Sequence, residues 1–237
     1  MRMRVLAAIV ACGIALGVAS GAQALTTVTG GLTFTVANDG PGLAGSHFHS
    51  STLTGDGGFA EVGRLFFFDD NGNEVREESR GLSEFDLSGL GTASEAILQF
   101  EVLFPGGLFL ENENPFDGII ALLAYEGDNF ESIGDFQITP TFALGDFPID
   151  PINFSGGEII SLDITALYNS FIADGVSALG IRLENAPLIE GSQAWTFGNF
   201  LLTTEVAPPP PPPTDIPEPA TLGLLGLGAV LALRRKR

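Results

Sequence analysis

The chain's only two histidines, His47 and His49, stand one residue apart in a glycine- and serine-rich stretch. If that stretch were extended, both imidazoles would share one face. Joined by a nearby carboxylate such as Asp39 or Asp56, they would suit zinc or copper. Against this, two histidines alone are a thin ligand set. A pair on an exposed loop that binds nothing is the simpler expectation, so no metal ligand is assigned.

Other chemistries find less support. A Ser or Thr nucleophile would need one of these two histidines as its base, and no G-x-S-x-G elbow accompanies them. Cys12 is the only cysteine and falls in the leading segment, leaving the rest without thiol chemistry or disulfides. The run Asp69-Asp70-Asn71-Gly72-Asn73-Glu74 invites comparison with an EF-hand loop. Counted from Asp69, however, the sixth residue is Glu74 where glycine belongs and the twelfth is Arg80 where glutamate belongs. A hairpin turn built on Asn71-Gly72 fits better. A looser calcium site at Asp128, Asp135 or Asp146 stays open, with nothing to single one out. Paired carboxylates for glycoside hydrolysis are equally unselected among so many acids. Sugar platforms would have to come from Trp195, Tyr125 or Tyr168, because the other nineteen aromatics are Phe, which pack into cores. The alternating pattern places Trp195 in a core strand.

The termini are more specific. Pro208–Pro213 is an unbroken proline run, a stiff spacer of about 3.1 Å per residue. Pro217-Glu218-Pro219 follows, then an apolar stretch from Ala220 to Leu233, then Arg234-Arg235-Lys236-Arg237. The apolar stretch is short for a permanent span, which needs about 20 residues. The basic cluster resists crossing the bilayer. This arrangement resembles the PEP-CTERM sorting tail of Gram-negative bacteria that make exopolysaccharide. The resemblance implies recognition of Pro217, Glu218 and Pro219 by an exosortase-type membrane protease. It also implies a transient stay in the inner membrane, removal of the tail, and delivery to the cell surface or extracellular matrix. The other reading is an ordinary C-terminal anchor that is never cut.

At the other end, Arg2 and Arg4 precede an apolar run from Val5 to Ala19, and Ala22-Gln23-Ala24 is a small-x-small cleavage site. Residues 1–24 read as a secretory signal, with the mature chain starting at Leu25. A lipoprotein reading at Cys12 leaves too few apolar residues before the cut. The domains expected are the signal at 1–24, an exported domain at 25–207, a proline-rich spacer at 208–216 and the sorting tail at 217–237.

Charge sharpens the picture. Of ten basic residues six lie in the two termini, and of twenty-nine acids only Asp215 and Glu218 lie in the tail. The exported domain keeps four arginines (Arg64, Arg76, Arg80, Arg182) against twenty-seven carboxylates, a formal charge near −23 with no lysine. That surface repels nucleic acid and anionic lipid, which makes both poor partner candidates. It leaves divalent cations as a possible class of ligand.

The elements that must position these residues read as strands. Ala96, Leu98, Phe100, Val102 and Phe104 alternate, as do Leu179, Ile181 and Leu183. Further strands are expected at 32–37, 59–68, 118–125, 137–144 and 194–203. One helix is expected near 165–174, with Thr165 as N-cap and Gly175 as stop. The fold expected is all-β: an antiparallel two-sheet sandwich of jelly-roll type with one short helix, plus a signal helix and a C-terminal apolar helix. Three stretches, Arg80–Ser88, Ala93–Glu101 and Leu162–Leu183, resemble β-sandwich modules of surface proteins, some of which are carbohydrate-binding modules. That resemblance implies the same sandwich and a carbohydrate-binding alternative. The function expected is non-enzymatic: a structural or adhesive surface protein of the exopolysaccharide matrix, with no cofactor assigned. A hydrolase using paired carboxylates ranks last.

Overall fold

The computed structural model describes residues 25–39, 44–68, 71–109, 114–185 and 192–206. All of them fall in the first of the chain's two units, Met1–Ala207; of the second, Pro208–Arg237, none is described. The expected signal and apolar helices lie outside these residues. So do Ala22 and Ala24, Pro217, Glu218 and Pro219, and the basic end Arg234, Arg235, Lys236 and Arg237.

Eleven strands are described: β1 (Leu25–Thr29), β2 (Leu32–Asp39), β3 (His47–Ser50), β4 (Ala60–Phe68), β5 (Glu74–Asp86) and β6 (Ala93–Phe104). They continue with β7 (Gly118–Gly127), β8 (Phe142–Ile149), β9 (Ile159–Asp163), β10 (Ala178–Asn185) and β11 (Gln193–Val206). One α-helix, α1 (Thr165–Asp174), joins β9 to β10, and a 3-10 turn spans Ile133–Gln137. The described residues are all-β and antiparallel with a single short helix, as the periodicity predicts.

The ladders do not separate into two sheets. They run β8-β7-β10-β5-β4-β11-β6-β9, with β1 added to β11 and β2 to β5, and β3 added to β2. Two long strands, β5 and β11, make the connection. Along one edge, β5 pairs β4 through Glu74–Ser79 and then β10 through Gly81–Asp86. At the handover Gly81 passes so close to Ala60 that a Cβ would sit 2.7 Å from the alanine methyl, so only glycine fits. The two halves still face each other across one core. Phe85, Leu179, Ile181 and Leu122 from one half meet Leu98, Phe100, Trp195 and Phe197 from the other. Strands from both ends of the ladder thus share a single core. A smaller cluster of Phe34, Val36, Leu82, Tyr125 and Phe136 lies apart from it.

The helix forms where expected, with its cap made differently. Thr165 is the first helical residue rather than the N-cap, which is Ile164 without a side-chain bond. Asp163 does the work instead, its Oδ1 accepting from the Thr165 amide at 2.9 Å and from the Thr165 hydroxyl at 2.6 Å. Gly175 closes the helix with φ at +70°. Leu167, Tyr168 and Phe171 are buried against the core.

The expected strand at 137–144 begins later. Ser132 and Asp135 form a reciprocal capping box that holds 133–137 in a 3-10 turn, and β8 starts only after Pro140. Two arginines tie that turn to the sheet. Arg182 is buried and donates from Nη1 to the Ile138 carbonyl at 2.7 Å. Arg80 donates from Nη1 to the Phe136 carbonyl at 2.6 Å and lies over the Phe136 ring. Glu184 Oε2 is within 3.1 Å of Arg182 Nε and 3.3 Å of Arg80 Nη1.

Candidate metal centre

The stretch around the two histidines is a strand, not an exposed loop. β3 pairs with β2, setting Ala37 opposite His47, and a register shift between Thr35 and Val36 leaves His49 as an extra residue. Such a bulge re-aims a side chain. Here both imidazoles point the same way, with ring centroids 5.2 Å apart.

Neighbouring strands supply carboxylates in register. On the β2–β5 ladder Asp39 is opposite Glu77, and on the β4–β5 ladder Leu65 is opposite Glu77. Side chains two apart on a strand share a face, so Glu61 joins Leu65 on that side of β4. The result is a patch built from four consecutive strands, β2 to β5.

His49 is buried and clamped between two buried carboxylates. Its Nδ1 is 2.5 Å from Glu61 Oε2, and its Nε2 abuts Glu77 Oε1. Burial pulls the His49 pKa down, but the hydrogen bonds and charges of Glu61 and Glu77 outweigh it and raise it to about 9. Glu61 is itself fixed, its Oε1 accepting from the Leu108 amide at 3.0 Å. His47 is half-exposed and arranged in the same sense. Its Nδ1 lies 3.0 Å from Ser46 Oγ and 3.4 Å from Asp39 Oδ2, and its Nε2 lies 3.4 Å from Glu77 Oε2.

Among the described residues His47, His49 and Glu77 form a cluster whose ligand-type atoms all lie within 4.8 Å of one another. They line a cavity of about 290 Å³ with Leu65 and Phe109. The Phe109 ring stands edge-on to His49 at 4.7 Å.

Of the two carboxylates the spacing suggests, Asp39 reaches His47, whereas Asp56 is exposed and lies outside the cluster. Glu77 and Glu61, which the sequence leaves unremarked, take the places beside His49. Their one signal is negative: acids on strands rich in buried partners. The candidate calcium acids have other duties. Asp135 caps the 3-10 turn, Asp128 Oδ1 accepts from the Phe130 amide at 2.9 Å, and Asp146 is an exposed residue of β8. Asp69 and Asp70 lie outside the described residues. The hairpin predicted at Asn71-Gly72 is present, linking Phe68 to Glu74. Trp195, Tyr125 and Tyr168 are all buried in the core and offer no sugar platform.

No curated protein matches the chain significantly. The model of the PEP-CTERM protein-sorting motif matches residues 215–237, a span that includes Pro217, Glu218, Pro219 and the basic end. The chain thus carries at its C-terminus the sorting motif that exosortase recognises, the signal for export to the cell surface or extracellular space of a Gram-negative bacterium.

Proposed function

We propose that the exported domain is a non-enzymatic structural or adhesive component of an exopolysaccharide-rich cell surface. The observation that carries this reading is the sorting motif at 215–237. It would place the chain transiently in the inner membrane, where the protease cuts near Pro217–Ala220 and releases the domain with most of its proline spacer. The all-β domain, formally near −23, supports a durable surface element that stays soluble at high density. Burial of Trp195, Tyr125 and Tyr168 favours this role over a carbohydrate-binding module, because such modules grip sugars with exposed aromatic faces.

Intact-mass analysis of surface and membrane fractions, with the matrix polysaccharide fractionated in parallel, tests the proposal. The expected product starts at Leu25, lacks Arg234–Arg237 and accompanies the matrix. Glu218→Ala should accumulate uncut in the membrane. A surface-located product that keeps Arg237 would make the tail a permanent anchor. Selective binding on a glycan array would favour the carbohydrate-binding alternative, and turnover of a polysaccharide panel would make the domain a hydrolase.

A further inference from the structure

We propose that His47, His49 and Glu77 form a binding site for one divalent transition-metal ion of the zinc class, set into the face of the β3-β2-β5-β4 region. Two imidazole nitrogens and one carboxylate oxygen are a borderline ligand set that zinc accepts in three-ligand sites, with a fourth position left open. Calcium and magnesium take oxygen ligands and are poorly served by it.

The geometry supports coordination in three ways. First, tetrahedral ligands about 2.1 Å from zinc stand about 3.4 Å apart. The His47 Nε2 to Glu77 Oε2 separation is 3.4 Å. His49 Nε2 faces the other oxygen of the same carboxylate. Second, both histidines turn Nε2 towards Glu77, while His49 Nδ1 meets Glu61 at 2.5 Å and His47 Nδ1 meets Ser46 Oγ at 3.0 Å with Asp39 behind it at 3.4 Å. A carboxylate behind Nδ1 fixes the tautomer that leaves Nε2 free to ligate, an arrangement that supports metal-bound histidine generally. A histidine that merely bridges an ion pair has no need of a second histidine oriented the same way beside it. Third, Glu77 is 3 % exposed and its Oε1 abuts His49 Nε2, so the carboxylate and the imidazole already converge at the edge of the cavity.

Charge balance agrees: Glu61 and Glu77 are both buried carboxylates, and a dication brings the two positive charges that offset them. On binding, the ion takes the place of the proton on His49 Nε2, which leaves to solvent, while the Nδ1 proton stays on the Glu61 side. The cavity beneath Phe109 leaves the fourth position to water or to a donor from another molecule.

The test is equilibrium dialysis of the full-length chain in mild detergent, stripped with chelator, against Zn²⁺ alone, with elemental analysis. One zinc per chain is expected, and Ca²⁺ at the same concentration should not compete. His47→Ala and Glu77→Gln should each lower affinity more than 100-fold. Glu61→Gln, which orients rather than ligates, should lower it about 10–100-fold. His47 is half-exposed, so its variant is expected to keep the wild-type circular dichroism spectrum even if changes at buried His49 do not. Absence of stoichiometric zinc in the wild type, or wild-type affinity in any of these three variants, would overturn the site.

Discussion

The indole Nε1 of Trp195 donates to the carbonyl oxygen of Phe116 at 2.8 Å, inside the main core, where both residues are fully buried. Trp195→Phe would shrink the side chain and leave that carbonyl without its donor. The expected loss is about 2–3 kcal/mol, part void and part unsatisfied acceptor. Urea melts followed by circular dichroism would measure it. An unchanged midpoint would mean that the core re-closes around phenylalanine and that the carbonyl finds another partner.

Asp135 gives the domain a pH dependence of definite sign. Burial, with the charges of Glu84 and Asp128, raises its pKa from 3.8 to about 7, against the lowering effect of the Ser132 amide. The folded state therefore holds the proton more tightly than the unfolded one. The stabilisation is complete below about pH 4 and is lost as pH rises through about 7; above that both states are ionised. Glu84, raised by burial first, acts in the same direction. Relative to Asp135→Asn, the wild type should lose stability between pH 4 and 7 with a slope of at most one proton. Parallel curves for the two proteins would remove Asp135 from the account.

Gly175 ends α1 with φ at +70°, and a Cβ there would meet nothing within 4 Å. Gly175→Ala should cost about 1 kcal/mol through backbone conformation alone. A far larger loss in thermal melts would reveal packing at this corner that the geometry does not contain.

The charge of the exported domain predicts salt dependence. With twenty-seven carboxylates against four arginines, the folded state repels itself, and added salt screens that repulsion. Thermal stability should rise with NaCl; a gain of about 1 kcal/mol would move the midpoint by roughly 2–4 °C. A midpoint independent of salt would show that self-repulsion does not limit the stability of the fold.

The sequence was most legible where one strand or one cap settles the matter. Clean alternation marks β6 and β10, and Gly175 marks the helix stop. β3 was illegible because four residues with two histidines among glycine and serine give no period to read. The early part of 137–144 read as strand because its residues alternate, yet a capping box ten residues upstream of β8 governs the local backbone. The site divides along the same line. His47 and His49 announce themselves by spacing, but Glu61 and Glu77 reach them only through the registers of β2–β5 and β4–β5. Those registers are tertiary facts, set by which strands pair, and no local pattern around Glu77 encodes them. Asp39 was within reach of local reasoning because β2 lies next to β3.

The placement of the arginines bears on survival outside the cell. Arg64 lies in β4, Arg76 and Arg80 in β5, and Arg182 in β10, so every basic residue between Leu25 and Ala207 is held in a hydrogen-bonded strand. A protease that cuts after basic residues needs several residues of backbone free to enter its cleft. The loops, where such backbone is most available, contain no basic residue at all. Digestion by such an enzyme must therefore wait for strands to open, and its rate becomes a measure of the domain's own unfolding.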